Sequence, residues 1–447
     1  MLNKSNIEEK AIVYANHFEN LQDLITYITN DSKKFPQKIQ EWFYNFSYYD
    51  LNHGLLSNCF LLGEMDYIFP KDNFSSYSHE ILKLGINRQR ISKIDNPGLW
   101  TGLTGICMAI QAVSKNNTRY VSLLNECNSI LKKLIKEKLK VAKRNLINHD
   151  VHMPDYDLIE GISGIVVYLL EAKKYDDDFE ILFNESIGYL IQLCGNHRFK
   201  YLEIPNWYIP QKNQFIESEL KAFPQGNFNV GISHGITGVL AVLTLSLDVY
   251  TNKKELEKAI YFITDWLIHN LTKNEDTSYW EKKIPLEKYD YGKYLKCDCL
   301  NFSWCYGDLS IARTIWKTGA ALNNSYLKEF SLEFFNTVNK HKNNYNLISP
   351  SYCHGIAGLL HLIIIMNEDT KLPIFEEMES FFIEELIKSY DEKSKFGFKD
   401  IEKFENEKYK FNKTGLLTGN SGIYLVLLYY IGRKSFTKWE RLFLMSD

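Results

Sequence analysis

The sequence predicts an all-α fold, a toroid in which seven buried inner helices alternate with seven half-exposed outer helices. Three observations predict this fold: a Gly-x-x-Gly motif recurs along the chain, an apolar stretch follows the motif, and amphipathic segments lie between the copies. The first glycines of successive copies are 48 to 74 residues apart. Because the shortest interval accommodates two helices and their connections, the longer intervals are expected to contain insertions.

The motif occurs in five complete copies and two degenerate ones. The complete copies begin at Gly102, Gly161, Gly235, Gly355 and Gly419, and the degenerate ones at Gly54 and Gly307. The stretch after a copy, such as residues 165–170, is apolar on most faces, and a helix of this kind is buried. In residues 256–267 the charged side chains instead lie outside a single apolar stripe, which is typical of an outer helix. Glycine at each inner-helix start permits a tight turn, and the first-turn N–H groups then face one mouth of the ring.

Two insertions lack a helical period and are predicted to form strands and loops. They span about residues 199–228 and 272–303 and are too short to be separate domains, so we expect a single toroid domain over residues 1–447. Both insertions are rich in aromatic residues. If these aromatics are exposed, they would anchor an extended peptide. The alternative is that they pack the insertions onto the toroid. The residues concerned are Trp207, Tyr208, Tyr279 and Trp280.

Composition excludes several classes of protein. A net charge of −3 provides no basic surface, which argues against a nucleic-acid partner. The N-terminal residues include two acids where a signal peptide would place its apolar core, and no apolar run approaches the roughly 20 residues of a spanning helix. Eight cysteines in a chain of this length are not a disulfide framework, which favours the reducing cytoplasm.

Two cysteines and a histidine are the candidate metal ligands. Cys305 lies two residues before Gly307, and the pair Cys353-His354 directly precedes Gly355. A helix N-terminus lowers the pKa of a thiol, and two thiolates with one imidazole leave a fourth tetrahedral position of zinc open, as in catalytic sites. The alternative is a pair of buried thiols beside a capping histidine. Cys297 and Cys299 are a competing donor pair, although their spacing also fits alternating positions on a strand.

Further polar residues are predicted at the same mouth of the ring. His234 directly precedes Gly235, and Asp157 lies four residues before Gly161. A lone histidine is more often a packing or capping residue, and an acid at a helix start is favoured by the helix dipole alone. Tyr306 is expected to place a hydroxyl at the mouth. His53 precedes the degenerate Gly54 and is expected to be structural.

These motifs resemble those of the lanthionine synthetase C-like family, the lantibiotic cyclases. The similarity extends over essentially the whole chain, through residues 303–307, 353–355, 233–238 and the glycine series. The length, without an added dehydratase domain, is similar to that of the stand-alone class I cyclases. The resemblance implies an α,α-toroid with a central zinc ion bound by Cys305, Cys353 and His354, and proton transfer by His234 and Asp157. Family members often have arginine four residues before the first zinc cysteine, where this chain has Asn301.

The resemblance also implies a reaction and its partners. A cysteine thiol of a dehydrated precursor peptide would be activated at zinc and would add to dehydroalanine or dehydrobutyrine, with His234 as the general acid. A lantibiotic dehydratase and a peptide exporter would be further partners, at a cytoplasmic site that is peripheral to the membrane. Two other classes stay open: another thiol-activating zinc enzyme such as a protein prenyltransferase, and a zinc-stabilised peptide-binding protein without catalytic activity.

Overall fold

The computed structural model describes residues 4–44, 46–86, 91, 93–273, 278–291 and 300–446. Within these residues the chain forms 19 α-helices and eight short strands. The helices, in chain order, are α1 (Lys4–Ala15), α2 (Leu21–Ser32), α3 (Gln37–Phe43), α4 (Asn58–Ile68), α5 (Phe74–Gly85), α6 (Leu103–Ala112), α7 (Val121–Ile147), α8 (Met153–Tyr156), α9 (Ile162–Ala172), α10 (Asp177–Leu193), α11 (Glu217–Ala222), α12 (Ile236–Leu245), α13 (Lys253–His269), α14 (Leu286–Tyr291), α15 (Asp308–Ala321), α16 (Ser325–Lys340), α17 (Ile356–Thr370), α18 (Pro373–Lys388) and α19 (Asn420–Gly432).

The strands form four separate two-stranded antiparallel ladders. They are β1 (Asn196–Phe199), β2 (Leu202–Pro205), β3 (Asn227–Asn229), β4 (Thr272–Lys273), β5 (Ser278–Tyr279), β6 (Lys283–Pro285), β7 (Asp400–Phe404) and β8 (Glu407–Phe411). Six of them lie in or next to the two predicted insertions, where β3 pairs with β6 and so joins one insertion to the other. The chain is therefore mostly helical with short strand insertions, as the sequence predicts.

Seven helices begin at the predicted glycines. Six of them, α6, α9, α12, α15, α17 and α19, start at the residue directly after the glycine, and α4 follows Gly54 after a short turn. Glycine is required because the chain folds back on itself there: a Cβ on Gly235 would lie 2.5 Å from the amide nitrogen of Gly231. These glycine-led helices are buried over most of their length, and α12 buries every residue from Ile236 to Thr244.

The helices between them begin differently. Helices α10, α13 and α16 start after Asp176, Asn252 and Asn324, whose side chains each accept a first-turn backbone N–H. Such a cap stabilises a helix by about 1 kcal/mol. Only one face of these helices is buried, which is the amphipathic pattern that the sequence shows.

The chain divides into two compact units. The first comprises Met1–Asp95, Trp100–Ser129 and Leu347–Ser446, and the second is essentially Asn96–Leu99 with Ile130–Asn346. In the first unit α4 packs against α5, α6 and α19, and α17 packs against α18 and α19. In the second unit α12 packs against α9, α13 and α15, and α15 packs against α16.

The four aromatic residues predicted to anchor a peptide are buried and pack within the second unit. Trp207 lies edge-on to Trp266, and the indole N–H of Trp280 donates to the Leu267 carbonyl at 2.8 Å. None of the four side chains is more than 3% exposed: Trp207, Tyr208, Tyr279 and Trp280. The hypothesis that they form an exposed peptide anchor is therefore wrong, and the packing alternative holds. No helix within the described ranges is long and apolar enough to cross a membrane.

This burial predicts a large loss of stability for Trp207→Ala and for Trp280→Ala. Each change leaves a cavity, and removal of a buried aromatic of this size costs about 3–5 kcal/mol of unfolding free energy. Denaturant unfolding measures the effect, with Tyr201→Ala as the control because that ring is 67% exposed in the turn between β1 and β2. A loss below about 1 kcal/mol for both tryptophan variants would contradict the packing role.

Candidate functional site

His234 and Asp157 form the closest contact among the predicted site residues. Their Nδ1 and Oδ2 atoms are 2.6 Å apart, and the Asp157 side chain is 1% exposed whereas that of His234 is 29% exposed. Asp157 caps the C-terminus of α8, and its other oxygen accepts the backbone N–H groups of Glu160 (2.8 Å) and Gly161 (2.7 Å). Because an ionised carboxylate only accepts hydrogen bonds, this contact favours the His234 tautomer that carries its proton on Nδ1. Nε2 is then the nitrogen available for proton transfer.

Three loops of the second unit meet around this pair. The Leu158 amide donates to the Ser233 carbonyl at 3.0 Å, which joins the loops before α9 and α12. The Cys305 carbonyl accepts the amides of Ile232 (3.0 Å) and Ser233 (3.3 Å), which joins the loop before α15 to the same group. The glycine series thus places His234, Asp157 and the loop of Cys305 side by side.

Tyr306 packs beside His234, with the two ring centroids 6.3 Å apart. Its hydroxyl accepts a hydrogen bond from the Asn229 side-chain amide at 3.1 Å, and burial raises its pKa, so it is a neutral phenol near neutral pH. A Cβ on Gly231 would lie 2.6 Å from the Tyr306 ring, so glycine is needed for this packing. Asn229 was not among the sequence predictions.

The loop that carries Cys305 is fixed by Asn301 and Asp308. The Asn301 side-chain oxygen accepts the amide (3.0 Å) and hydroxyl (2.8 Å) of Ser303. The buried Asp308 carboxylate accepts the amides of Asn301 and Trp280, each at 2.7 Å. Burial raises the pKa of Asp308 to about 7 although these N–H groups oppose the shift. Asn301 therefore shapes the loop that carries Cys305.

The two predicted zinc cysteines differ from the other cysteines in exposure. The six described cysteines are all thiols, and only Cys305 and Cys353 are partly exposed. Burial raises the pKa of the Cys59 and Cys194 thiols, which disfavours the thiolate that binds metal. The competing pair, Cys297 and Cys299, lies outside the described residues. The partial exposure and the thiol chemistry of Cys305 and Cys353 thus fit a role as zinc ligands.

His354 lies against the β7–β8 hairpin of the first unit. Its Nε2 is 3.3 Å from Asp400 Oδ1 and 3.4 Å from Glu402 Oε1. The two carboxylates lie on the same face of β7, as expected for residues two apart on a strand. The ligand atoms of the three side chains all lie within 4.8 Å of one another, close enough to form a metal site of their own.

Lys413 joins the same cluster. Its ammonium is 2.6 Å from Asp400 Oδ2 and 3.7 Å from Glu402 Oε1, and the Lys413 and Asp400 side chains are at most 3% exposed. Burial alone would raise the pKa of Asp400, but Lys413 and His354 outweigh it and hold this pKa well below its usual range. Burial and the Asp400 carboxylate raise the pKa of Glu402 to about 7.

His53 lies close enough to this cluster to interact electrostatically with Lys413 and Asp400. Its Nδ1 is 3.1 Å from the Thr418 hydroxyl. Desolvation and the nearby Lys413 ammonium lower the pKa of His53 to about 4, so the ring is neutral at physiological pH. Its structural role stays a prediction.

The predicted site residues thus fall into two groups. His234, Asp157, Tyr306 and Cys305 lie in the second unit, whereas Cys353 and His354 lie in the first. The zinc ligand set as a whole stays a prediction, as do the catalytic roles. Asp400, Glu402 and Lys413 were not predicted from the sequence, although two carboxylates spaced as Asp-x-Glu were a visible signal.

Comparison with known proteins gives consistent matches. The family model described as lanthionine synthetase C-like protein matches residues 45–444. Nisin biosynthesis protein NisC of Lactococcus lactis subsp. lactis is 25% identical over 457 residues, which cover 100% of this chain and 97% of that protein. A solved structure of nisin cyclase has a TM-score of 0.73 and 23% identity, over 95% of this chain and 98% of that one. The predicted α,α-toroid fold is thereby confirmed.

Proposed function

The chain belongs to the lanthionine synthetase C-like family, and we propose that it is a zinc-dependent peptide cyclase. The proposed substrate is a dehydrated lantibiotic precursor, in which cysteine thiols add to dehydroalanine or dehydrobutyrine to give lanthionine and methyllanthionine rings. The observation that carries the proposal is the contact of His234 with buried Asp157, next to the loop of the partly exposed thiol of Cys305. His234, held in one tautomer by Asp157, can therefore carry a proton next to the loop of Cys305, a candidate metal ligand.

The proposed zinc ligands are Cys305, Cys353 and His354, with the fourth position for water or substrate sulfur. When bound, zinc would lower the pKa of an incoming cysteine thiol so that a thiolate forms near neutral pH. Two features support this set: both cysteines are partly exposed thiols, and each lies just before a glycine-led helix, where the thiolate is favoured.

His234 would protonate the product. As the substrate sulfur bonds to the β-carbon, the electron pair of the carbon–carbon double bond moves toward the α-carbon and its carbonyl, giving an enolate. His234 then donates a proton from Nε2 to the α-carbon, and a proton taken from the incoming thiol restores the imidazolium. Asp157, 2.6 Å from Nδ1, stabilises that imidazolium and holds the ring in place. Tyr306 would line the site with its neutral hydroxyl.

The direct test is to incubate the protein with a dehydrated, cysteine-containing precursor peptide and to count the remaining free thiols. Cyclisation leaves the peptide mass unchanged, so alkylation of residual thiols followed by mass spectrometry is the suitable measurement. We expect thiols to disappear only in the presence of the enzyme. Binding without thiol loss would favour a non-catalytic peptide-binding protein, and thiol loss that requires added prenyl diphosphate would favour a prenyltransferase.

We also propose partner proteins and a site of action for the enzyme. The dehydratase that makes the substrate and an exporter of the product are proposed partners, because the substrate must already contain dehydrated residues. A cytoplasmic site of action, peripheral to the membrane within such a complex, is proposed as well. The described cysteines are all thiols, which fits a reducing compartment.

A further inference from the structure

We propose that Asp400 is a positioning residue that holds His354 through its Nε2 and thereby makes Nδ1 the nitrogen that binds the metal. This inference rests on the proposed zinc site and deepens it. The contact that carries it is the approach of His354 Nε2 to Asp400 Oδ1 at 3.3 Å, with Glu402 Oε1 at 3.4 Å on the same nitrogen. A neutral imidazole ligand donates an N–H from one nitrogen and binds metal with the other.

Asp400 is itself held rigidly, as a positioning group must be. Its Oδ2 accepts from the buried Lys413 ammonium at 2.6 Å, and its Oδ1 accepts from the Ser349 hydroxyl at 2.7 Å. Ser349 Oγ also accepts the Ile401 amide at 3.2 Å, so the carboxylate and its own strand are fixed to the loop before α17. That loop leads directly to Cys353 and His354.

The same contacts argue that the carboxylates are not the metal ligands. A divalent cation between His354, Asp400 and Glu402 would have to compete with the Lys413 ammonium, which already lies 2.6 Å from one carboxylate and 3.7 Å from the other. Lys413 is 3% exposed and cannot move its charge into water without leaving Asp400. The cluster is therefore suited to orienting an imidazole.

The two carboxylates are not equivalent in this arrangement. The Asp400 side chain is 0% exposed and has three partners, whereas that of Glu402 is 17% exposed. An acceptor with solvent access restrains a ring less, because water competes for its oxygens. Asp400 is thus expected to make the larger contribution to metal affinity, and Glu402 the smaller one.

The nitrogen that binds zinc can be identified in the wild-type protein. With 15N-labelled histidine and bound zinc, NMR should show His354 protonated on Nε2 and metal-bound through Nδ1, with the His354→Ala spectrum used for assignment. Metal bound through Nε2 would overturn the inference. This measurement does not depend on how well any Asp400 variant folds.

Variants give the second test, read as zinc affinity in competition with a chelator. Asp400→Asn should weaken zinc binding by about 10–100-fold, which is the usual effect of losing such a partner of a metal ligand. Glu402→Gln should weaken it less. The matched control is Asp391→Asn, which breaks the more exposed ion pair with Lys399 (3.1 Å) and should leave zinc affinity unchanged.

Removal of the Asp400 charge leaves a buried ammonium, which can unfold the protein. The double variant Asp400→Asn/Lys413→Met avoids this and should show the same loss of zinc affinity. Affinity within about twofold of wild type in folded Asp400→Asn or in the double variant would overturn the inference. If His354→Ala also retains zinc, the proposed ligand set itself fails. If His354→Ala loses zinc while the Asp400 variants keep it, only the positioning role fails.

Discussion

Replacing Cys305 or Cys353 with alanine is expected to remove nearly all zinc from the protein and to abolish cyclisation. Each change takes one of two proposed thiolates from the metal, and the remaining ligands cannot complete the coordination that zinc requires. Both thiols are partly exposed and each lies just before a glycine-led helix, so their loss leaves no cavity in the packed core. Metal content by mass spectrometry, on folded and dialysed protein, measures the effect.

Cys194→Ala is the matched control for the two zinc variants. This thiol is buried at the end of α10, donates to the Leu190 carbonyl at 3.1 Å, and should be irrelevant to the metal. Zinc content equal to wild type in Cys305→Ala or in Cys353→Ala would contradict the ligand assignment. Such a result would direct attention to Cys297 and Cys299 instead.

His234→Ala is expected to retain zinc and the fold and to lose cyclisation by about 10²–10⁴-fold, the range of a general acid–base group. The loss arises because no other group is assigned to protonate the α-carbon of the adduct. Single-turnover rates with a dehydrated peptide provide the measurement, alongside the zinc content of the same sample. His79→Ala serves as the control, since this exposed histidine contacts Tyr120 outside the site.

Asp157→Asn separates the catalytic role of Asp157 from its structural one. The amide oxygen can still accept the amides of Glu160 and Gly161, so the loop before α9 is retained. Its NH₂ group would face Nδ1 of His234 and would favour the opposite tautomer, which removes the proton from Nδ1. Cyclisation should fall nearly as far as in His234→Ala. Loss of zinc in either variant would make these residues structural or metal ligands.

The helix starts were predictable because local geometry forces glycine there. The loop before α12 returns so close to its own backbone that Gly235 cannot carry a Cβ, and the same constraint holds at Gly54, Gly161, Gly307, Gly355 and Gly419. The pairing of His234 with Asp157 followed from the same periodicity. Both residues lie within four positions of the glycine that starts an inner helix, so they were expected at the same mouth of the ring, and their side chains meet at 2.6 Å.

The β7–β8 hairpin could not be placed from its sequence. Asp400 and Glu402 are separated from His354 by a whole helical repeat, and nothing in that spacing shows that their strand packs against the loop before α17. The prediction that the aromatic residues of the insertions are exposed was wrong for a related reason. Residues around Trp207 and Trp280 lack periodicity, so the sequence gives no indication of which face is covered, and both indoles proved to be buried.

The central claim is that a substrate thiol is activated at zinc for addition to a dehydrated residue. The most direct measurement is the free-thiol count of a dehydrated precursor after incubation with the enzyme as purified, with zinc-depleted enzyme, and with depleted enzyme resupplied with zinc. We expect thiol loss with the enzyme as purified, none with the zinc-depleted enzyme, and recovery of thiol loss when zinc is resupplied. Equal thiol loss in all three samples, with the depleted enzyme shown to be free of metal, would contradict it.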